Sequence, residues 1–600
     1  MKLNKFISEL KRRHVLKSTI AYLAISWVIV QIASIVLPTF DVPDYTLKAL
    51  IIVLSIGLIF WIGFSWVYEL TPDGIQKTDD ISDDEETLKL TDRRLNIVIA
   101  ASLVIAVILL VLASFWAGSN WEDEIAAPEL KKVAVIPFVQ QADGLEDEGE
   151  ENEYFKTGMT DALISELSKV EQLIVIKQSS TQILSSGFHP GNSLITNVIN
   201  GIDYFVNGEI ERQSDTINVR IELKTTIDAK PIWQKGYTKD ISEIRLLWAD
   251  VANDLARQMS VVVKPEDMIL WSGLRPVQPE TYELYLKGKH YMNKSTAIEW
   301  ERGMVYMHEA IDKNPSDPYA YAYLAEAYVN LGHGPDAPPD VFPKALAAAN
   351  RAIDLDSTVA LGWAALSHYH TYFGMDWEMA EYAFERANEL NPNLADNHYH
   401  RAWYLALFGR MNEAIEEHKI AQNLDPFTPL HTAWLGGLYG MVGLYEEGLI
   451  EAEKASQMQD DYALSMLIKG RIFLDQGKVE EGLEILRQAS EINPGWKYNA
   501  YGPALLQTGH IEEGRAILEE LEALPDTGYK AYCLVRMYSE LKDFDKAIEW
   551  LNYEHKIGWY PWIRVTFLNN EIRKDPRFLK IIRDMNLPDP APLVYYPEQS

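Results

Sequence analysis

The chain has 600 residues, too many for one hydrophobic core and enough for about three or four units. Its 87 acidic against 55 basic residues leave a formal charge of −32, which argues against nucleic acid as a partner, because phosphate contacts draw on Lys and Arg. The lone cysteine, Cys533, excludes an intramolecular disulfide and any zinc site built from several thiolates.

Three apolar runs open the chain, at 18–38, 47–68 and 95–118, each of the roughly 20 residues that a helix needs to cross a bilayer. Lys and Arg orient them. Lys2, Lys5, Lys11, Arg12, Arg13 and Lys17 precede the first run. "TFDVPDYT" between the first two carries no basic residue, and Lys77, Lys89, Arg93 and Arg94 lie between the second and third. Positive charge stays inside, so the N-terminus and second loop are expected in the cytoplasm and everything after about Gly118 on the far side. Trp66, Trp116 and Trp121 stand near the run ends, where indoles favour the interface. "NKFISELKRRHVLK" before the first run has the pattern of a basic amphipathic helix on the inner surface. The expectation is a membrane anchor over 1–118 with the lipid bilayer as its partner, followed by a linker at 119–130.

Residues 131–264 form the next unit. "KKVAVIPF" and "QLIVI" are β-branched strands. Between them runs a solvated acidic loop and then "YFKTGMTDALISELSKV", with Met159, Leu163, Leu167 and Val170 at helical spacing and Thr157 or Thr160 as its cap. "SLITNVINGI" reads as a helix. "YFVNGEIERQSDTINVRIELKTTIDAKPIWQKGYT" alternates as strands with turns at "QSDT" and "DAKP", and a helix from "EIRLLWADVANDLARQM" closes the unit. The unit holds no nucleophile–base motif, phosphate-binding loop or metal spacing.

The stretch from "VAVIPF" through "EYFKTGMTDALISELSKVEQLIVI" to "GIDYFVNGEIERQSDTINVRIEL" and "IWQKGYT" resembles the periplasmic α/β domain of the amino-terminal part of TolB and of the flagellar lipoprotein FlgO. That resemblance implies a protein-interaction module without enzymatic activity. The front end is similar to bacterial membrane proteins whose first helix begins "ELKRR" and whose second span ends "YELTPDG", and which go on to tetratricopeptide repeats. Some of those relatives start with a class III adenylate cyclase or a winged-helix domain; this chain starts at the expected anchor, so neither activity is carried over. With the charge rule, the resemblance implies a multi-pass protein of a bacterial inner membrane with its C-terminal domains in the periplasm.

After a linker at 265–279, residues 280–590 carry an internal repeat. A small residue opens the second helix of each repeat, at Gly303, Ala345, Ala380, Ala414, Gly448, Gly482, Gly514 and Ala547. Another follows seven residues later in six of them, and Pro315, Pro392, Pro426 and Pro494 end second helices. Spacings near 34 residues are those of tetratricopeptide repeats, in which two antiparallel helices meet at small side chains and the stacked pairs leave a concave groove. A "DPRF" motif at Asp575–Phe578 introduces a closing helix. The expected class is therefore multidomain: three transmembrane helices, a small α/β domain and an α-solenoid.

Six of the 13 histidines fall between His368 and His431, in "LSHYHTYF" and "LADNHYHRAW" among others. Residues two apart on a helix point to opposite sides, so His398 and His400 do not chelate one metal, nor do His368 and His370. With Ala414 at position 20 of its repeat, the groove positions 2, 5, 9, 12 and 13 implied by the resemblance are Asp396, Tyr399, Trp403, Ala406 and Leu407. A carboxylate beside two aromatics would suit a peptide with basic and apolar side chains. No cofactor, metal or catalytic residue is expected. The function expected is a non-enzymatic envelope scaffold that binds proteins through groove and α/β domain; the alternative is a membrane subunit relaying periplasmic binding to a cytoplasmic regulator or adenylate cyclase.

Overall fold

The computed structural model describes residues 45–71, 74–77, 130–140, 150–185, 201–226, 231–264, 276–293, 296–332, 340–556 and 571–590, with single residues elsewhere. The chain divides into two compact units, Met1–Glu129 and Leu130–Ser600.

In the first unit, helix α1 (Tyr45–Val67) leads into a hairpin of β1 (Tyr68–Thr71) and β2 (Gly74–Lys77), with Tyr68 opposite Lys77. Among the described residues no helix is long and apolar enough to cross a membrane. This overturns the three expected transmembrane helices and the inner-membrane localisation built on them. The run at 95–118 lies outside the described residues, as does 18–38 apart from single residues. Over 47–68 the chain runs through α1 into Tyr68 of β1, and α1 is not among helices long and apolar enough over the described residues. The amphipathic segment before the first run also lies outside them, apart from Val15.

The second unit begins with a six-stranded sheet. Strands β3 (Lys131–Val135), β5 (Leu173–Val175), β6 (Tyr204–Gln213), β7 (Thr216–Thr225) and β8 (Trp233–Asp240) lie in the order β5-β3-β6-β7-β8, and the short β4 (Val139–Gln140) pairs with β6. β3 runs parallel to β5 and β6, whereas β6, β7 and β8 form an antiparallel meander. The alternation of β7 explains its placement: Ile217, Val219, Ile221 and Leu223 are all buried, while Arg220 between them is exposed. Helices α2 (Glu150–Leu167), α3 (Gln178–Ser185) and α4 (Ile244–Gln258) accompany the sheet. α2 starts seven residues before Thr157, so neither threonine caps it. The acidic run "EENEY" extends the helix backward, and Thr160 instead accepts the Phe138 amide at 2.9 Å from mid-helix.

Eight helix pairs follow: α5 (Pro279–Met292) and α6 (Ala297–Lys313), α7 (Pro318–Gly332) and α8 (Val341–Leu355), α9 (Ala360–Tyr369) and α10 (Trp377–Leu390), α11 (Ala395–Leu407) and α12 (Met411–Leu424), α13 (Pro429–Met441) and α14 (Tyr445–Met458), α15 (Ala463–Asp475) and α16 (Val479–Ile492), α17 (Gly502–Gln507) and α18 (Ile511–Glu522), and α19 (Gly528–Glu540) and α20 (Phe544–Lys556). Single π-turns extend α9 at His370–Gly374 and precede α17 at Lys497–Tyr501. A last helix, α21 (Pro576–Asp584), is capped by the Asp575 carboxylate on the Arg577 amide. The eight small residues that mark the repeat all fall in second helices, and the close approach shows why. A Cβ built on Gly482 would sit 2.9 Å from the Gly470 carbonyl, and one on Gly448 would sit 2.9 Å from that of Gly436. The fold is thus a tetratricopeptide-like helical solenoid with a small sheet.

Sheet and solenoid share a core. Tyr282 and Leu286 of α5 are buried in the same cluster as Met159, Leu163 and Trp248, and the side chain of Leu286 fills the space over Gly158.

Candidate functional site

Two turns between repeats hold the α/β domain. Asn393, after α10, donates its amide to the carbonyls of Ser168 and Leu173, each at 3.0 Å, and accepts the Val175 amide at 2.9 Å. One side chain thereby satisfies three backbone groups, one just after α2 and two in β5. After α12, Asp425 accepts the hydroxyls of Ser179 at 3.0 Å and Ser180 at 2.6 Å, while the Lys177 amide donates to the Leu424 carbonyl at 2.9 Å. Asn and Asp at such turns carry short polar side chains that can bond backbone or hydroxyl groups of a neighbour while the helix ends around them.

Between the α/β domain and the first helices of the repeats lies a cavity of about 1020 Å3. Asp396, Tyr399 and Trp403 line it; Ala406 and Leu407 do not, being fully buried in the solenoid core. Asp396 is already engaged. Its Oδ2 accepts from Lys177 Nζ at 2.7 Å, and its Oδ1 lies 3.6 Å from His431 Nε2. Burial opposes its charge, but Lys177 and His431 hold its carboxyl well below the ordinary carboxylate range. Lys177 answers in kind: burial works against the ammonium, yet Asp396 and Asp425 raise its pKa. The basic anchor expected of a partner is therefore supplied by the chain's own Lys177.

Tyr399 stacks on His431 at 5.1 Å, and Trp403 meets Trp434 edge-on at 4.9 Å. The histidines have separate partners. His398 bonds Glu417 at 2.6 Å and the Pro392 carbonyl at 2.9 Å, and His400 bonds the Tyr372 hydroxyl at 2.6 Å. His418 is fully buried, with Nε2 donating to the His431 carbonyl at 2.8 Å; burial, then His431, depresses its pKa to about 3, so it stays neutral. These contacts are packing and orientation. Among the described residues no group of three or more His, Cys, Asp or Glu side chains could hold a metal ion.

A second charged cluster lies where α2, α5 and α7 meet. Lys289 pairs with Asp161, and Glu326 faces the same cavity. Burial first, then the nearby Asp396 charge, pushes the Glu326 carboxyl up to about 7, against the pull of Lys177 and Lys289.

Further along the solenoid the lining changes. The same register that selects Asp396, Tyr399 and Trp403 selects Arg471 in the sixth repeat, Trp496 and Asn499 in the seventh, and Tyr529, Tyr532 and Arg536 in the eighth. All six line the cavity. Applying positions 2, 5 and 9 to every repeat, rather than to the histidine-rich one alone, finds them from sequence.

No family model matches the chain. Curated relatives align with part of it. A putative adenylate cyclase of Rhizobium meliloti is 23 % identical over 254 residues, 42 % of this chain and 41 % of that protein. The transcriptional regulator HilA of Salmonella typhimurium is 26 % identical over 230 residues, 37 % and 40 % respectively. The chain thus spans about two fifths of the length of the curated relatives it matches. Among solved structures, TTC0263, a tetratricopeptide protein of Thermus thermophilus, is 22 % identical with a TM-score of 0.28, covering 32 % of this chain and 99 % of its own. A chain of the Cut9–Hcn1 complex is 13 % identical with a TM-score of 0.35, covering 57 % and 62 %.

Proposed function

We propose that the chain is a non-enzymatic scaffold that holds an extended peptide segment of a protein partner along its concave cavity. One observation carries this reading. The cavity of about 1020 Å3 runs across the first helices of successive repeats, and its walls present Trp403, Trp434, Tyr462 and Trp496, large rings that recognise apolar side chains at little entropic cost. The α/β domain, with its likeness to the amino-terminal domain of TolB and to FlgO, closes one side of that groove and pre-organises it through Asn393 and Asp425. Pre-organisation lowers the ordering cost of binding.

The test is a photo-crosslinking amino acid placed at Leu430, which lines the cavity and is 38 % exposed, and separately at Ile450, which is 55 % exposed and does not line it. A discrete crosslinked partner from position 430 and none from 450 is expected. Equal yields from both would refute the groove.

A second reading, that this binding regulates a signalling output, is favoured by the names of curated relatives, a putative adenylate cyclase and a transcriptional regulator. Cyclic nucleotide and transcript levels that do not move when the chain is deleted and restored in its host would remove it.

A further inference from the structure

We propose that the far half of the groove is an anion subsite, built from Arg471, Asn499 and Arg536, that takes the side-chain carboxylate of an acidic peptide. The inference rests on the groove reading above and names the chemistry of its ligand.

The chain carries an excess of 32 negative charges, so two guanidinium groups lining one stretch of cavity run against its overall balance. Arg471 projects from α15 and Arg536 from α19. Asn499 in the π-turn between them accepts a hydrogen bond from Nη1 of Arg536. Arg536 is 7 % exposed, and its buried Nε donates to nothing among the described residues; nor does any described carboxylate lie within ion-pair distance of it. A buried guanidinium is stable when a planar acceptor completes its fork, and a carboxylate matches that fork in two parallel bonds.

Among the described residues the neighbouring pair is held by few partners. Arg471 Nη2 lies 3.2 Å from Asp475, and its Nη1 donates to Gln507 at 2.8 Å. Burial lowers the pKa of Arg471 in spite of Asp475 and Glu540, and Arg536 pushes it in the same direction. Burial likewise raises that of Asp475 in spite of Arg471. A further carboxylate between the two arginines would offset their mutual repulsion. Tyr532 flanks Arg536, its ring 5.8 Å from the guanidinium carbon, and Tyr529 and Trp496 also line this part of the cavity. A ligand anchored there would carry apolar side chains next to its acid.

The residues named for this half of the groove all come from repeats six to eight. Near repeat four the positive charge of Lys177 already compensates Asp396. Charge complementarity therefore selects an acidic partner segment, not the basic one that Asp396 alone suggests.

The experiment is fluorescence anisotropy with the full chain and four labelled probes. These are an amidated peptide of about ten alternating Asp and Leu residues, its Asn–Leu and Lys–Leu counterparts, and an Asn–Leu peptide with a free C-terminus. The acidic amidated peptide is expected to bind most tightly. Arg536→Gln is expected to weaken it by about tenfold or more, the worth of one charge-assisted hydrogen-bonded pair. Asn499→Asp, nearly isosteric and so least disturbing to the fold, places a carboxylate beside Arg536 and is expected to abolish the preference for the acidic probe over the Asn–Leu probe. Preference for the Lys–Leu probe, or acidic binding indifferent to both substitutions, would overturn the anion subsite while leaving the groove standing. Binding only by the free C-terminus would overturn the side-chain assignment. If no probe bound, the subsite would fall, and crosslinking from position 430 would decide the groove reading separately.

Discussion

Replacing Asn393 by Ala tests whether the α/β domain and the solenoid are one mechanical body. The side chain makes three hydrogen bonds of 2.9 to 3.0 Å to backbone groups of Ser168, Leu173 and Val175. Each neutral bond is worth about 1 kcal/mol net, and a buried group left unpaired costs about 1–3 kcal/mol. Asn393 lines the cavity, so water can reach part of what the substitution exposes. The expected loss is therefore about 2–3 kcal/mol, below the sum of three unsatisfied groups. Native-state hydrogen exchange is the suitable assay, since it resolves local opening in a chain whose unfolding need not be two-state. The Val175 amide should lose protection, by a factor of about 30 to 150 for 2–3 kcal/mol, while amides in α19 keep theirs. Asn393→Asp should be worse than Ala, because a carboxylate would face the two carbonyls. Val175 protection unchanged in both variants would refute the docking role and with it the pre-organised groove.

Glu326 and His418 give opposite pH signatures. Glu326 has a folded pKa of about 7 against an ordinary 4.5, so the unfolded chain gives up this proton first and stability falls as pH rises from 4.5 through 7. Glu326→Gln should flatten that fall in thermal melts; an unchanged difference between pH 5 and 7.5 would contradict it. His418, held near 3 from an ordinary 6.5, is neutral when folded, so stability falls as pH drops from 6.5 toward 3. His418→Gln should lessen that acid sensitivity, as measured by the shift in Tm between pH 7 and pH 5. Gly482→Val puts side-chain atoms against the Gly470 carbonyl and the Leu474 side chain, and overpacking of this kind costs about 1–3 kcal/mol. A urea titration with an unmoved midpoint would contradict the close helix contact. Trp403→Ala removes a 6 % exposed ring set against Trp434 and should cost about 3–5 kcal/mol, so its effect on partner binding is interpretable only beside the exposed Leu430→Ala.

The solenoid is written in local pattern, which is why sequence alone exposes it. Each repeat needs small residues where two helices touch, and those constraints recur at fixed spacing: Gly470 with Gly482, Gly436 with Gly448. The sheet domain is legible for a related reason, since the β6–β7 hairpin is a local pairing of alternating strands, with Gln213 opposite Thr216 across a short turn. The start of α2 was not legible, because polar acidic residues continue a helix without leaving an apolar period. Apolar runs at the N-terminal end fit a hydropathy rule, which asks for a helix both long and apolar enough to cross a bilayer. Among the described residues that condition is not met.

What no local pattern could supply is the meeting of distant segments. Lys177 and Asp396 are separated by 219 positions, and neither carries a signal of the other. Read by itself, Asp396 is a groove carboxylate that awaits a cation. With Lys177 at 2.7 Å it becomes part of the joint between domain and repeat, and the electrostatic vacancy moves elsewhere along the groove. The register already contained the place where it moves. Positions 5 and 9 of the last repeats are Asn499, Arg471 and Arg536, and a guanidinium pair 65 residues apart in sequence converges only because each repeat turns its first helix toward the same axis. Spacing fixes which side chains face the cavity, and the intramolecular contacts decide which of them still has charge to offer a partner.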